Sequence, residues 1–334
     1  MRATRGLVSR SGVVGVSFTQ DVVGPMARCV RDVAVVLGVM AGVGIDEGDN
    51  ATALVPEGIR GTDYVKDLEE GQLQGLRIGV LEGFFDQSGR EETGVVNEAM
   101  GSMIENLKAA GVEVVMIGED VYDANAILKR YDVQRYEFRE AVEEYLQRPD
   151  LEGDFPKTLR EIYERDVFVV IPPQYEHIKT ALRSSTNNDS YASAMQDIAD
   201  LKQTLHSTFT SNKLDAIIYP QQKNLVVKIG TPSQHGRNGI LAAVTGSPVV
   251  AIPAGFSSPD DEDGVPIGME ILGQPWTEAK LLQIAYQMER YVQRRTPKIA
   301  QGFVPVDSLT EVPQLIPSKD NIHTAYPRGV LDSF

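Results

Sequence analysis

The chain has 334 residues, of which 42% are hydrophobic and 24% are charged, enough for one large α/β domain or two smaller ones. Its formal net charge of −15 at pH 7 argues against nucleic acid and anionic membrane surfaces as partners, because both would repel such a chain at long range. One cysteine, Cys29, excludes an intramolecular disulfide framework and favours a reducing compartment, and no apolar run is long enough to span a membrane.

The beginning of the chain allows two interpretations. It carries arginines and serines with no acidic residue before Asp21, which is the composition of a mitochondrial transit peptide. Three glycines, Gly6, Gly12 and Gly15, weaken the amphipathic helix that such a peptide would form. Short extended pieces are expected here instead, and the protein is expected to be cytoplasmic.

Apolar periodicity then predicts the first regular elements. Residues 30–41 repeat apolar side chains at helical spacing, with Gly42 after the last turn, and predict a core helix. Two buried strands are predicted at 76–81 and 112–117, joined by an amphipathic helix that Gly111 ends. This order is a βαβ unit, so its two strands should be parallel.

The middle of the chain is more polar. Residues 120–211 predict charged amphipathic helices at 131–148 and 190–210, around a loop at 171–173. A third strand at 214–219 follows and leads into Pro220.

The C-terminal third carries the clearest strand signals. A turn at 246–248 leads into an apolar run, which predicts a strand at 249–253 ended by Pro253, because proline cannot donate to a ladder. An acidic loop, a strand at 266–272 and a helix at 277–295 come next. The proline-containing tail, 301–334, is expected to wrap the surface or to be disordered.

These pieces also resemble a known family. The order TGSPVVAIPAGF, acidic loop and GVPIGMEILGQPWTEAKLLQIA is similar to the C-terminal core of the amidase signature family of serine hydrolases. The opening TRGLVSRSGVVGVSFTQDVVGPMARCVRDVAVVLGVMAG resembles the segment that follows that family's catalytic motif. The resemblance implies one α/β domain over 1–334, a mixed sheet flanked by helices and incomplete at its N-terminal side, with 120–211 as a variable helical insertion.

The resemblance also bears on catalysis. The family hydrolyses amides with a Ser–Ser–Lys arrangement, in which a base takes the proton of a poorly nucleophilic hydroxyl. The family pattern places both serines and the lysine before Met1, so no catalytic residue is expected in this chain. Ser247, between Gly246 and Pro248, is expected to bond the local backbone. The histidines lack metal-site spacing, and neither a metal nor a cofactor is expected.

If a pocket remains, the resemblance assigns three segments to it, and its ligand would be a small-molecule amide. The candidate substrate-binding residues are Gln20, Asp21, Tyr219, Pro220, Gln221, Thr245, Gly246 and Ser247.

Three hypotheses about function stay open. The chain is an amidase-like protein that lacks the catalytic machinery and is inactive by itself. Alternatively, it is a fragment of a complete amidase whose start has been set too late. The third hypothesis is a binding or partner subunit on the amidase scaffold, with a second copy or another chain covering the exposed sheet.

Overall fold

The computed structural model describes residues 1–165, 172–227, 236–258 and 264–292. In these ranges a five-stranded mixed sheet has the order β2-β1-β3-β5-β4. Strands β1, β2 and β3 are parallel to one another, and β5 is antiparallel to both β3 and β4. The strands are β1 (Arg77–Leu81), β2 (Glu113–Ile117), β3 (Ala216–Pro220), β4 (Val249–Phe256) and β5 (Pro266–Leu272).

Helices cover the sheet. They are α1 (Val30–Ala41), α2 (Glu91–Ala109), α3 (Ala124–Tyr131), α4 (Gln134–Leu146), α5 (Leu159–Glu164), α6 (Pro172–Ala181), α7 (Asp189–Ser211), α8 (Ile240–Thr245) and α9 (Glu278–Met288). Short 3-10 turns lie at Asn50–Leu54, Glu57–Ile59, Glu82–Phe84, Asp120–Tyr122 and Glu289–Tyr291. Among the described residues, no helix combines the length and the apolar character that crossing a membrane requires.

The central strands are buried on both faces, which is why they read as continuous apolar runs. In β3, Ala216 and Ile218 join the core that contains α1, α2 and α9. The alternate residues of the strand, Ile217 and Tyr219, join the core that contains α3, α7 and α8. The five predicted strands and the mixed α/β architecture are therefore confirmed, as is the parallel pairing of the βαβ unit.

One strand boundary was wrong. Pro253 does not end β4, which continues to Phe256 with a register irregularity between Pro253 and Gly255. Strand β4 lies at the edge of the described sheet, where it pairs with β5 and, at Val249, with an isolated bridge to Arg2. A residue without an N–H is tolerated at Pro253, on this edge.

Two helical segments were also not predicted as such. Pro172, which the sequence placed in a loop, starts α6, because proline fits the first turn of a helix, where the N–H has no partner. Helix α8 has only six residues and ends at Gly246, whose φ of 70° is the left-handed conformation that favours glycine. Of the predicted elements, the tail 301–334, residue 171, residues 259–263 of the acidic loop and the last three residues of the 277–295 helix lie outside the described residues.

Candidate functional site

Three arginines from the first ten residues hold one loop of the chain, residues 16–21, which we call the 16–21 loop. The three guanidinium groups donate hydrogen bonds to three consecutive backbone carbonyl oxygens. The pairs are Arg10 with Phe18 at 2.8 Å, Arg5 with Thr19 at 2.8 Å and Arg2 with Gln20 at 2.6 Å.

The loop is also tied internally and to α4. Asp21 Oδ2 accepts the backbone N–H groups of Val16 and Ser17 at 2.6 and 2.9 Å. Gln20 Oε1 accepts the N–H of Val133, the residue before α4, at 3.1 Å. The loop therefore has a defined shape although it contains no regular secondary structure.

A cavity of about 860 Å³ lies beside this loop. Six of the larger residues that line the cavity are apolar, and two of them, Val13 and Val14, are 52% and 53% exposed. These apolar residues are Val13, Val14, Val16, Phe18, Val22 and Val23. The charged lining residues are Arg2, Arg10, Asp21, Asp49, Glu144, Arg148 and Asp150. The size is that of pockets for drug-sized ligands, and the lining suits a ligand with both apolar and polar parts.

Two ion pairs stiffen the charged side of the cavity. Arg10 binds Asp49 through both oxygens, at 2.8 and 2.7 Å. Arg148 binds Asp150 in the same two-point manner, at 2.9 and 2.6 Å. Such paired geometry fixes the planar guanidinium groups and satisfies the carboxylates.

A buried polar cluster adjoins the cavity at Arg2. The carboxylate of Glu270 in β5 is buried next to the Tyr219 hydroxyl in β3 and lies within the electrostatic reach of Arg2. Burial raises the pKa of Glu270, although the nearby Tyr219 hydroxyl and the charge of Arg2 act in the opposite direction. Burial, followed by the charge of Glu270, raises the pKa of Tyr219 well above its ordinary value. Burial lowers the pKa of Arg2 to about 10.

The raised pKa of Glu270 predicts a pH effect. The folded chain binds the proton of the Glu270 carboxyl more tightly than the unfolded chain does. The protonated carboxyl therefore stabilises the fold fully below the ordinary pKa of 4.5, and this contribution is lost as pH rises through the pKa of the folded state. Glu270→Gln removes the titration. Wild type should therefore lose stability between pH 4.5 and neutrality, and the variant should not. The difference between their free energies of unfolding should change in favour of the variant by about 1.4 kcal/mol for each unit by which folding raises the pKa of Glu270. Urea unfolding at a series of pH values measures this gain, and parallel stability curves for the two proteins would contradict it.

Several polar atoms around the cluster have no hydrogen-bond partner among the described residues. They include Arg2 Nε, Gln20 Nε2 and Asn238 Oδ1. The orientation of the Asn238 amide follows from its nitrogen, which donates to Phe84 O and Pro220 O at 2.7 Å each. Two donors and one acceptor are thus left unpaired, and a buried group without a partner costs about 1–3 kcal/mol. Of the three residues, Arg2 and Gln20 also line the cavity.

The structure places the eight candidate substrate-binding residues in two settings. Gln20 and Asp21 line the cavity. Tyr219 and Pro220 are buried at the end of β3, and Gln221 is exposed, with its N–H donating to Gly268 O at 2.9 Å.

The remaining three residues lie at the end of α8 and do not line the cavity. The buried hydroxyls of Thr245 and Ser247 are 2.9 Å apart, and Thr245 Oγ1 also bonds Leu241 O at 2.7 Å. Gly246 O accepts the N–H of Arg5 at 3.1 Å. The N-terminal arginines therefore bond the first and third predicted segments, and Tyr219 of the second interacts electrostatically with Arg2. Only the first segment faces the cavity.

Sequence reasoning missed most of the residues that organise this site, namely Arg2, Arg5, Arg10, Asn238 and Glu270. Glu270 carried a usable signal, because an acidic residue stood inside a run that otherwise predicted a buried strand. Arg2 and Asn238 gave no such signal, because each bonds backbone carbonyl groups, which every residue has whatever its side chain. In the described ranges, no three histidine, cysteine, aspartate or glutamate residues come together in a group that could hold a metal ion.

Known proteins similar to this chain cover most of its length. A family model described as amidase matches residues 1–282. A glutamyl-tRNA(Gln) amidotransferase subunit of Acinetobacter baumannii (strain AYE) is 27% identical over 321 residues, which cover 90% of this chain and 60% of that protein. The subunit of the same name from Neisseria meningitidis serogroup A is 30% identical over 308 residues, covering 86% and 59%.

Solved structures agree with this match. The native peptide amidase of Stenotrophomonas maltophilia has a TM-score of 0.70 and 28% identity, covering 88% of this chain and 58% of that one. A structure of the peptide amidase PAM in complex with the competitive inhibitor chymostatin has a TM-score of 0.67 and 26% identity, covering 86% and 57%. This chain thus spans about 60% of the length of the curated relatives that it matches.

Proposed function

The chain belongs to the amidase family, and from this we propose that it forms the amide-binding part of an enzyme that acts on the carbon–nitrogen bond of an amide. The observation that carries the proposal is that Arg2 and Arg5 bond the backbone of two candidate pocket segments, at Gln20 and Gly246, next to a cavity of ligand size. The third segment lies near them, because Tyr219 interacts electrostatically with Arg2. The similarity to peptide amidase supports it.

We also propose that the nucleophile and its base are supplied by polypeptide outside residues 1–334. The two buried serines of the described part are Ser17 and Ser247. Ser17 Oγ donates to Glu137, and Ser247 Oγ is paired with Thr245. Among the described residues, neither hydroxyl bonds a lysine or a histidine, the kind of base that activates a serine. What residues 1–334 supply is therefore binding and orientation.

The ligand that the cavity fits best is a small amide with an apolar side chain. The valines and Phe18 give apolar contact, while the unpaired nitrogens of Arg2 and Gln20, two residues that line the cavity, can donate to the amide carbonyl. The net charge of −15 favours a small molecule over a nucleic acid.

A second candidate is a component that acts only in an assembly. The curated relatives at 27–30% identity are named as subunits of an amidotransferase, and this chain spans about 60% of their length. Under this candidate, a partner chain or a second copy completes the pocket.

Amide binding can be measured directly by isothermal titration with chymostatin and with N-acetylphenylalaninamide. We expect saturable binding of at least one probe, weakened up to about tenfold by Gln20→Ala, because one neutral hydrogen bond is worth about 0.5–1.5 kcal/mol. Ser185→Ala, whose hydroxyl bonds Glu140 away from the cavity lining, serves as the control and should bind as wild type does. Equal affinity in the Gln20 variant and wild type would contradict the assignment of the site.

A further inference from the structure

A buried carboxylate in α4 binds the same loop that the three arginines hold. Glu137 is fully buried, and its two oxygens accept four hydrogen bonds. Thr19 donates twice, from its backbone N–H at 3.1 Å and from Oγ1 at 2.6 Å. Ser17 Oγ donates the third bond, and the Tyr191 hydroxyl, from α7, donates the fourth at 2.7 Å. The carboxylate thus joins the 16–21 loop to two helices.

The energetics of this carboxylate make the connection strong. A buried carboxylate is very costly unless its oxygens are hydrogen-bonded, and bonds to a charged group are about twice as strong as neutral ones. Burial, together with the bond to Glu137, raises the pKa of Tyr191 to about 12, so this hydroxyl stays a donor at physiological pH. Moving the loop away would leave Glu137 buried with most of its donors lost.

The bonds of Glu137 continue to the residues that face the cavity. Ser17 Oγ, which donates to Glu137, accepts the backbone N–H of Gln20 at 2.9 Å. Ser17 O accepts the N–H of Asp21 at 3.2 Å. The Gln20 side chain bonds the N–H of Val133, one helical turn before Glu137. The start of α4 therefore places both the backbone and the side chain of Gln20.

We propose that Glu137 is a positioning residue, which sets Gln20 and Asp21 at the wall of the proposed amide pocket through the bonds that join the 16–21 loop to α4 and α7. This inference rests on the proposed function in treating the 16–21 loop as part of that pocket. The test measures hydrogen exchange of the 16–21 loop and needs neither a ligand nor turnover. A failure of the Glu137 proposal can therefore be distinguished from a failure of the proposed amide-binding function.

The same helix provides a matched control. Glu140 lies three residues after Glu137 and accepts the Thr186 N–H at 3.1 Å, Thr186 Oγ1 at 2.5 Å and Ser185 Oγ at 2.8 Å. It therefore holds a different loop through similar donors, and it also pairs with Arg139 at 3.2 Å. Neither Ser185 nor Thr186 lines the cavity.

The test is hydrogen exchange by mass spectrometry on the full chain carrying Glu137→Gln or Glu140→Gln. Glutamine keeps the size but cannot accept four bonds as a carboxylate does, so Glu137→Gln should speed exchange at the 16–21 amides about tenfold or more. Exchange in β4 should stay within about twofold of wild type. Glu140→Gln should instead affect residues 184–187 and leave the 16–21 loop unchanged.

Two results would overturn the proposal. One is unchanged exchange at 16–21 in Glu137→Gln, and the other is an equal increase in the sheet, which indicates a general loss of stability. Should Glu137→Gln fail to fold, Thr19→Val removes one of the four bonds in a milder way. It must then speed exchange at 16–21 selectively for the proposal to stand.

Discussion

Alanine in place of Gly6 is expected to lower the free energy of unfolding by about 3 kcal/mol or more, the sum of backbone strain and a steric overlap. Gly6 has a φ of 99°, a conformation that residues with a Cβ rarely adopt. A Cβ at this position would overlap the backbone carbonyl oxygen of Ala51, which cannot rotate away as a side chain could. Urea denaturation followed by circular dichroism measures the loss.

Gly44 is the matched control for this substitution. Its φ of 78° is also in the left-handed region, but a Cβ there would meet no atom within 4 Å. Gly44→Ala should therefore cost only the strain, about 1–2 kcal/mol. The difference between the two variants reports how closely residues 4–7 approach residues 49–51, which border the cavity at Asp49. Equal losses in both variants would mean that this close approach is wrong.

The fold was predictable because its central strands are buried on both faces. The segments of β1, β3 and β4 are runs of apolar residues next to polar or proline residues. Because these runs are too short for a typical buried helix, they predict strands. Helix α8 escaped prediction because its six residues are apolar nearly throughout, so a helix and a buried strand give the same pattern. Its type was decided by tertiary packing and by the left-handed Gly246.

The candidate site was predictable only in part, and the reason is the kind of bond that builds it. Arg2, Arg5 and Arg10 bind backbone carbonyl groups. Every residue has such a group, so the sequence does not indicate which one an arginine will bind. The same arginines gave the chain the composition of a transit peptide, although the structure uses them inside the fold. Glu137 looked like one acidic residue among several on a charged helix, and only the fold shows that it faces the 16–21 loop.

The chain of residues 1–334 alone is expected to hydrolyse amides at no more than about one millionth of the rate of a complete amidase, which is the scale of loss when a catalytic nucleophile and its base are removed. The remaining acceleration in such cases comes from binding and from oxyanion donors. In the family that this chain resembles, those donors lie in the same glycine- and serine-rich stretch as the serines. We therefore expect binding without measurable turnover.

The measurement compares purified residues 1–334 with the peptide amidase of Stenotrophomonas maltophilia on aliphatic amides, aromatic amides and a peptide amide. Ser247→Ala and Ser17→Ala are assayed in parallel, because these are the buried serine hydroxyls of the described part. Turnover that disappears with Ser247→Ala would place catalysis at the end of α8, where Thr245 Oγ1 is the hydroxyl partner, and would contradict the proposal that the nucleophile lies elsewhere. Turnover that appears only when a second polypeptide is added would instead locate the nucleophile and base on that partner, because the arginine-held loop by itself supplies orientation and no activated hydroxyl.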